Sequence, residues 1–148
     1  FGDKRELYGA ALERYRALEQ EQFAADLASG RPIRVLLAGM VATLIDTLLA
    51  DDGTRGSFTL NAAIERGGRD PAIARQLRAH FEVISGLLTE RLAEAQRAGE
   101  IEAANPPDEL AAYLLLGLYS LAVMVKIVPD RAQLEAAAAI MLSVLDHS

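Results

Sequence analysis

The stretch Leu110 to Val128, LAAYLLLGLYSLAVMVKIV, constrains this chain more than any other, because Lys126 is its only charge. A bilayer reading has to be weighed first, since about 20 apolar residues suffice to cross a hydrocarbon core. Against it, the sequence shows no partner span, a charge-bearing helical pattern follows at once, and the flanks lack paired basic and aromatic anchors. The remaining reading is a buried helix of a water-soluble domain. A helix apolar on all sides needs a partner on each side. One side is therefore expected on the chain's own core and the other on a second subunit.

The 148 residues suit one domain, 1–148, with a core of its own. A hydrophobic share of 51%, few aromatics and no strand-like alternation predict an all-α fold of about six helices. The net charge is −6 and the 15 Lys and Arg are scattered, so these residues carry no nucleic-acid footprint and any DNA contact has to come from elsewhere. Absence of Cys excludes disulfides, thiolate zinc sites and cysteine nucleophiles, and suits a reducing cytoplasm.

Asp3 and Glu6 form a capping box that starts a first helix, which ends at Ser29-Gly30 before Pro32. The turn at Phe1-Gly2 reads as the end of a segment that begins further upstream. A second helix, about Pro32 to Asp51, has core positions Leu36, Leu37, Met40, Val41, Leu44, Ile45 and Leu48, with a small opposite face at Val35, Gly39, Ala42 and Thr43. Asp51-Asp52-Gly53 marks a loop. A short helix from Gly56 to Arg66 stops at Gly67-Gly68, and Asp70-Pro71 starts the longest helix, which closes on Gly99. Its stripe runs Ile73, Leu77, Phe81, Ile84, Leu88, Leu92 and Ala95, with His80 beside it. Asn105 is the expected N-cap of the apolar helix, which Pro129 ends. Asp130 and Gln133 cap a last helix to about Asp146, in which Leu134, Ala138, Met141 and Leu145 form one stripe and Ala132, Ala136, Ala139 and Ser143 a second, small one. Such a stripe permits close helix–helix approach.

Phe1-Gly2-Asp3-Lys4-Arg5-Glu6-Leu7-Tyr8, followed by Ala10 to Tyr15, resembles the junction at which the helix-turn-helix of a TetR-type transcriptional regulator passes into its fourth helix. Gly56 to Ala63 is similar to that family's short sixth helix, and Asp70 through Ile101 to its long seventh. Ser57 stands where many relatives have Cys. The resemblance implies a cytoplasmic, homodimeric, one-component regulator whose last two helices pair with their symmetry mates as a four-helix bundle. It also implies a small-molecule effector inside the domain, three DNA-reading helices upstream of residue 1, and a first helix, Asp3 to Tyr15, that acts as the lever between them. Release of the operator on effector binding is the common case. Lys4 alone falls where family members touch a DNA phosphate; its alternative is a solvated lysine of the first turn.

The residue inventory offers no catalytic set. His80 and His147 stand far apart, no Glu-x-x-His or His-x-x-x-His pair places metal ligands on one face, and there is no phosphate loop or Gly-x-Ser-x-Gly elbow. No metal or cofactor is expected. A pocket for an apolar or aromatic effector is expected from Met40, Thr43, Asp46, Phe58, Asn61, His80, Phe81, Ile84, Tyr113, Gly117, Ser120 and Met124, which place isolated polar groups among apolar ones. On the apolar helix, the face with Tyr113, Gly117, Ser120 and Met124 is assigned to that pocket. The aliphatic face with Leu115, Leu118 and Ala122 is assigned to the dimer, together with Ala132, Ala136, Ala139 and Ser143. A buried Asp46 would favour a cationic or hydrogen-bond-donating ligand. Each polar residue has a plainer alternative as a satisfied core group. For the whole chain the alternative is a helical homodimeric interaction module without an effector.

Overall fold

The capping box at Asp3 opens α1 (Lys4–Leu27): the Asp3 carboxylate accepts from the Glu6 N–H at 2.8 Å. The structure is a computed structural model and describes residues 3–50 and 58–146. Within these residues α1 is followed by α2 (Ile33–Ala50), α3 (Phe58–Arg66), α4 (Pro71–Arg97), α5 (Pro107–Met124), α6 (Arg131–Leu142) and a final 3-10 turn over Ser143–Leu145. No strand occurs among the described residues, so the chain is all-α. The expected turn at Phe1-Gly2, the loop at Asp51-Asp52-Gly53, the start of the short helix at Gly56-Ser57, and His147 lie outside the described residues.

Local chemistry sets most of the ends. Asp70 accepts from the Ala72 and Ile73 N–H groups and Pro71 occupies the first turn of α4, while Asp130 accepts from the Gln133 N–H at α6. Gly30 and Gly99 follow α1 and α4 with φ of 77° and 74°, a left-handed conformation that other residues adopt at a cost. The start of α5 differs from expectation. Its N-cap is Pro106 with no side-chain bond, and the Asn105 carbonyl instead accepts from Gln96. Two prolines preset φ for the first turn, so the helix starts without a side-chain cap. The cap of α2 comes from far along the chain, as the Glu100 carboxylate accepts from the Ile33 N–H at 2.9 Å. Arg91 holds that carboxylate at 3.1 Å.

Helices α1 and α4 run side by side in the same direction, as the rungs Arg5–Asp70, Arg16–Gln76 and Gln20–His80 show. α4 also packs along α5, and α2 lies on α6. Arg34 of α2 donates to the Leu145 carbonyl and pairs with Asp146, which ties the end of the chain to the start of α2. The main core gathers Leu36, Leu37, Val41 and Ile45 of α2, Leu88 and Leu92 of α4, and Leu114 and Leu115 of α5. A second, separate cluster joins Leu12, Ala62 and Ile73, with Tyr8, Phe58 and Leu77 packed against it.

By length and composition both α2 and α5 could cross a membrane, so the sequence does contain a second candidate span. Each turns one row into the core: Leu36, Leu37, Val41, Ile45 and Leu48 from α2, and Leu110, Ala111, Leu114, Leu115, Leu121 and Ala122 from α5. The outer row of α2 carries the exposed Thr43, Asp46 and Thr47. The outer row of α5 is mostly apolar, with Ser120 and the Tyr113 hydroxyl as its polar groups. Leu116 is 65% exposed and Ile127, just beyond the helix, 69%.

Candidate functional site

Two places combine unusual chemistry with unusual exposure. One is a polar seam across the inside of the domain. The buried-side row of α1 reads Leu12, Arg16, Glu19, Gln20, Phe23 and Leu27, and its middle is polar. Opposite this middle stand Thr59 of α3 with Gln76 and His80 of α4. The Thr59 hydroxyl donates to Glu19 at 2.7 Å, and Arg16 donates to the Gln76 side-chain oxygen at 3.1 Å. The Gln20 amide lies 3.1 Å from His80 Nδ1. With the amide as donor, Nδ1 accepts and the neutral ring carries its proton on Nε2, which faces the Glu19 carboxylate at 3.7 Å.

Electrostatics in the seam follow from burial. His80 is 2% exposed, and desolvation, helped by the Arg16 charge, pushes it down to about 4, so the ring is neutral at neutral pH despite the nearby carboxylate. Desolvation raises the Glu19 carboxyl above the usual range, against the Thr59 hydroxyl bond and the Arg16 charge. Tyr119 of α5 is raised by burial and then by Glu19. Its ring lies 6.2 Å from that of Phe81, tilted by 37°. The seam thus joins α1, α3 and α4 through a neutral imidazole and a desolvated carboxyl, and the Phe81–Tyr119 ring pair links α4 to α5 close enough for Glu19 to act on Tyr119. Such a set can orient a small molecule that is largely apolar and has a few hydrogen-bonding groups.

The second place is a groove of about 540 Å³ on the outer side of α5 and α6. Tyr113, Leu116, Gly117, Ser120 and Met124 line one wall, and Gln133, Leu134, Ala137 and Met141 the other. Beside it Ile140 is 73% exposed. Contiguous apolar exposure of this kind marks an interaction surface.

The residues expected to form one pocket are distributed over several environments. His80, Phe81 and Ile84 belong to the interior around the seam, and Met40 packs half-buried against the main core. Phe58 lies in the second cluster, edge-on to Tyr8 and Tyr15 at 5.2 and 5.6 Å. Asn61 accepts from Lys126 at 2.7 Å. Thr43 is exposed, and Asp46 is exposed and paired with Arg131 at 2.6 Å, so its partner is a surface arginine rather than a ligand in the interior. Tyr113, Gly117, Ser120 and Met124 face the outer groove. Lys4 is exposed in the first turn of α1.

On α5 the aliphatic face turns into the chain's own core, and the face with Tyr113, Gly117, Ser120 and Met124 lines the outer groove. Leu115 and Ala122, assigned above to the dimer, are 3% and 4% exposed within the single chain, and Leu118 packs against the same core. Leu115 and Ala122 are almost wholly covered by the chain itself, and Leu118 is half-buried. The aliphatic row turns inward because it lies against the apolar rows of α2 and α4, while the face with tyrosine and serine tips tolerates water. Ala132, Ala136 and Ala139 are exposed on α6, and the half-buried Ser143 donates to the Ile140 carbonyl at 2.6 Å.

Sequence reasoning missed Glu19, Gln20 and Thr59 in the seam, and Leu116 and Ile140 on the outer face. A signal existed for the first two: Arg16, Glu19 and Gln20 continue the helical row of Leu12, Phe23 and Leu27. Among the described residues no three His, Asp or Glu side chains converge as metal ligands.

The family model described as tetracyclin repressor-like, C-terminal domain, matches residues 32–141, from just before α2 to within one residue of the end of α6. No curated protein and no solved structure matches the chain.

Proposed function

Since the chain belongs to the tetracyclin repressor-like C-terminal domain family, we propose that it is the effector-binding and dimerisation domain of a one-component transcriptional regulator working in the cytoplasm. The observation that carries this reading is the outer face of α5 and α6, where Tyr113, Leu116, Met124 and Ile140 leave an apolar groove uncovered on the last two helices. A second copy related by a two-fold axis covers that face, because an isologous contact buries the same patch on both partners. The exposed alanines Ala132, Ala136 and Ala139 allow the α6 helices to approach closely. On this reading the intersubunit residues are Leu116, Ile140 and the groove lining, in place of Leu115 and Ala122.

The effector is a small apolar or aromatic molecule held at the junction of α1, α3, α4 and α5. Phe81, Ile84 and Tyr119 supply apolar contact there, and His80 and Glu19 supply hydrogen-bonding partners. Binding shifts α1 and releases operator DNA held by helices upstream of residue 1, with Lys4 touching a phosphate near that junction. A thermal-shift screen of aromatic and aliphatic acids, phenols and amines tests the effector. A ligand at about 100 times its Kd stabilises by roughly 2.7 kcal/mol. Stabilisation that Tyr119→Ala abolishes supports the site, whereas stabilisation by no compound class in the parent favours an interaction module that only dimerises.

A further inference from the structure

α1 is held to the body differently from the other long helices. Of its 24 residues only Leu12 and Leu27 are buried, and they belong to different clusters, Leu12 to the small one and Leu27 to the main core. These anchors lie about 22 Å apart along the helix, at 1.5 Å per residue. Between them the row facing α3 and α4 is Arg16, Glu19, Gln20 and Phe23, so apart from Phe23 on the main core and the Tyr15–Phe58 ring contact the attachment over this span is hydrogen bonding. Such bonds exchange with water at small net cost, unlike apolar burial.

The seam also has an asymmetry. Thr59 and His80, the groups on the body, are 5% and 2% exposed, whereas Glu19 and Gln20 on α1 are half-buried. Adjacent residues of α1 thus reach fixed posts on two different helices, Glu19 to α3 and Gln20 to α4. Arg16 Nε is buried without a hydrogen-bond partner, so water admitted on opening satisfies a group that the closed state leaves bare. The charged or titratable groups facing His80 are Glu19 and Arg16 of α1, and Tyr119 of α5 faces Glu19.

We propose that the Gln20–His80 bond is the catch that sets the resting position of α1 against α4, making His80 a positioning residue for the lever helix. It rests on the reading of α1 as the lever. Its test needs neither DNA nor effector, so it fails separately from that reading. The ring accepts from Gln20 through Nδ1 while the neighbouring Glu19 is held by Thr59 of α3, so the His80 bond sets α1 against α4 and the Thr59 bond sets it against α3. Without the His80 bond the stretch between Leu12 and Phe23 is tied to α4 only by partly exposed groups.

Native-state hydrogen exchange on the full chain at neutral pH, read by segment, tests this. In His80→Leu the amides between residues 13 and 24 exchange at least roughly tenfold faster than in the parent, while those of α5 and α6 keep their rates. His80→Asn, which retains an acceptor near the Nδ1 position, restores parental rates. Gln20→Ala, a change on the half-buried side, gives the same α1-specific acceleration and serves if His80→Leu does not fold. Acceleration spread evenly over all helices, or no change in α1 for Gln20→Ala, overturns the proposal. So does failure of His80→Asn to restore parental rates.

Discussion

Gly117 of α5 faces Met141 of α6 so closely that a Cβ at position 117 would lie 2.1 Å from the Met141 sulfur and 3.0 Å from its Cγ. Met141 is 7% exposed and belongs to the main core, and its flexible end, which also lines the outer groove, takes the space that position 117 leaves free. Gly117→Ala would gain helix propensity and yet force Met141 out of place. The gain of about 1 kcal/mol in propensity is offset by the displacement of the Met141 sulfur, so the expected net change is within about 1 kcal/mol. Met141→Ala in the same chain relieves the clash, so urea denaturation of the two single variants and the double variant gives non-additive changes. Simple additivity would show that the two side chains do not compete for this space.

Glu100 offers a check on a long-range cap. Its carboxylate accepts from the Ile33 N–H and from Arg91, and the first of these is the main reason its carboxyl lies below the ordinary glutamate range. Loss of an N-cap typically costs about 1 kcal/mol, and Glu100→Ala should lose about that much in chemical denaturation. A folded-state value below the unfolded one means stability that is present above the unfolded value and lost as the pH falls through the folded one. The variant should therefore lose less stability than the parent on acidification through the carboxylate range, which parallel melts at several pH values would measure.

His80 gives a second pH signature, in a different window. Its folded-state value is about 4 against an ordinary 6.5, so the unfolded chain takes up a proton first as pH falls. Its contribution to stability is complete above the ordinary histidine value and declines as pH drops towards the folded one. Between about pH 7 and pH 5 this shift amounts to about 2 kcal/mol. Glu19 acts in the opposite sense, because its raised carboxyl favours the folded state once it is protonated. His80→Asn keeps the bond to Gln20 and removes the titration, so urea midpoints at the two pH values should differ less than in the parent. An equal loss in both proteins would assign the acid sensitivity elsewhere.

What the sequence made legible was local. Asp3, Asp70-Pro71, Asp130 with Gln133, and Gly99 mark helix ends through bonds or dihedrals within a few residues, and the structure uses each of them. The two faces of α5 were not legible, because Leu115 and Leu116 are equally apolar and only the packing of α2 and α4 decides which of them turns inward. Asp46 and Arg131 are 85 residues apart, and no pattern in the second helix announces that pair. The polar seam lay between. Its residues follow helical spacing, yet on a charged helix Glu19 and Gln20 look like solvated side chains until Thr59 and His80 are set against them.

The outer face of α5 and α6 leads to the most direct measurement: the mass of the protein by sedimentation velocity at micromolar concentration, for the parent and for Ile140→Glu. Ile140 is 73% exposed in the single chain, so the substitution leaves the monomer core alone, and on a dimer face it buries an unpaired charge. The account predicts twice the monomer mass for the parent, and a monomer with unchanged helical content for the variant. A monomeric parent, or a dimer that Ile140→Glu leaves intact, would contradict the assignment of this face to a second subunit.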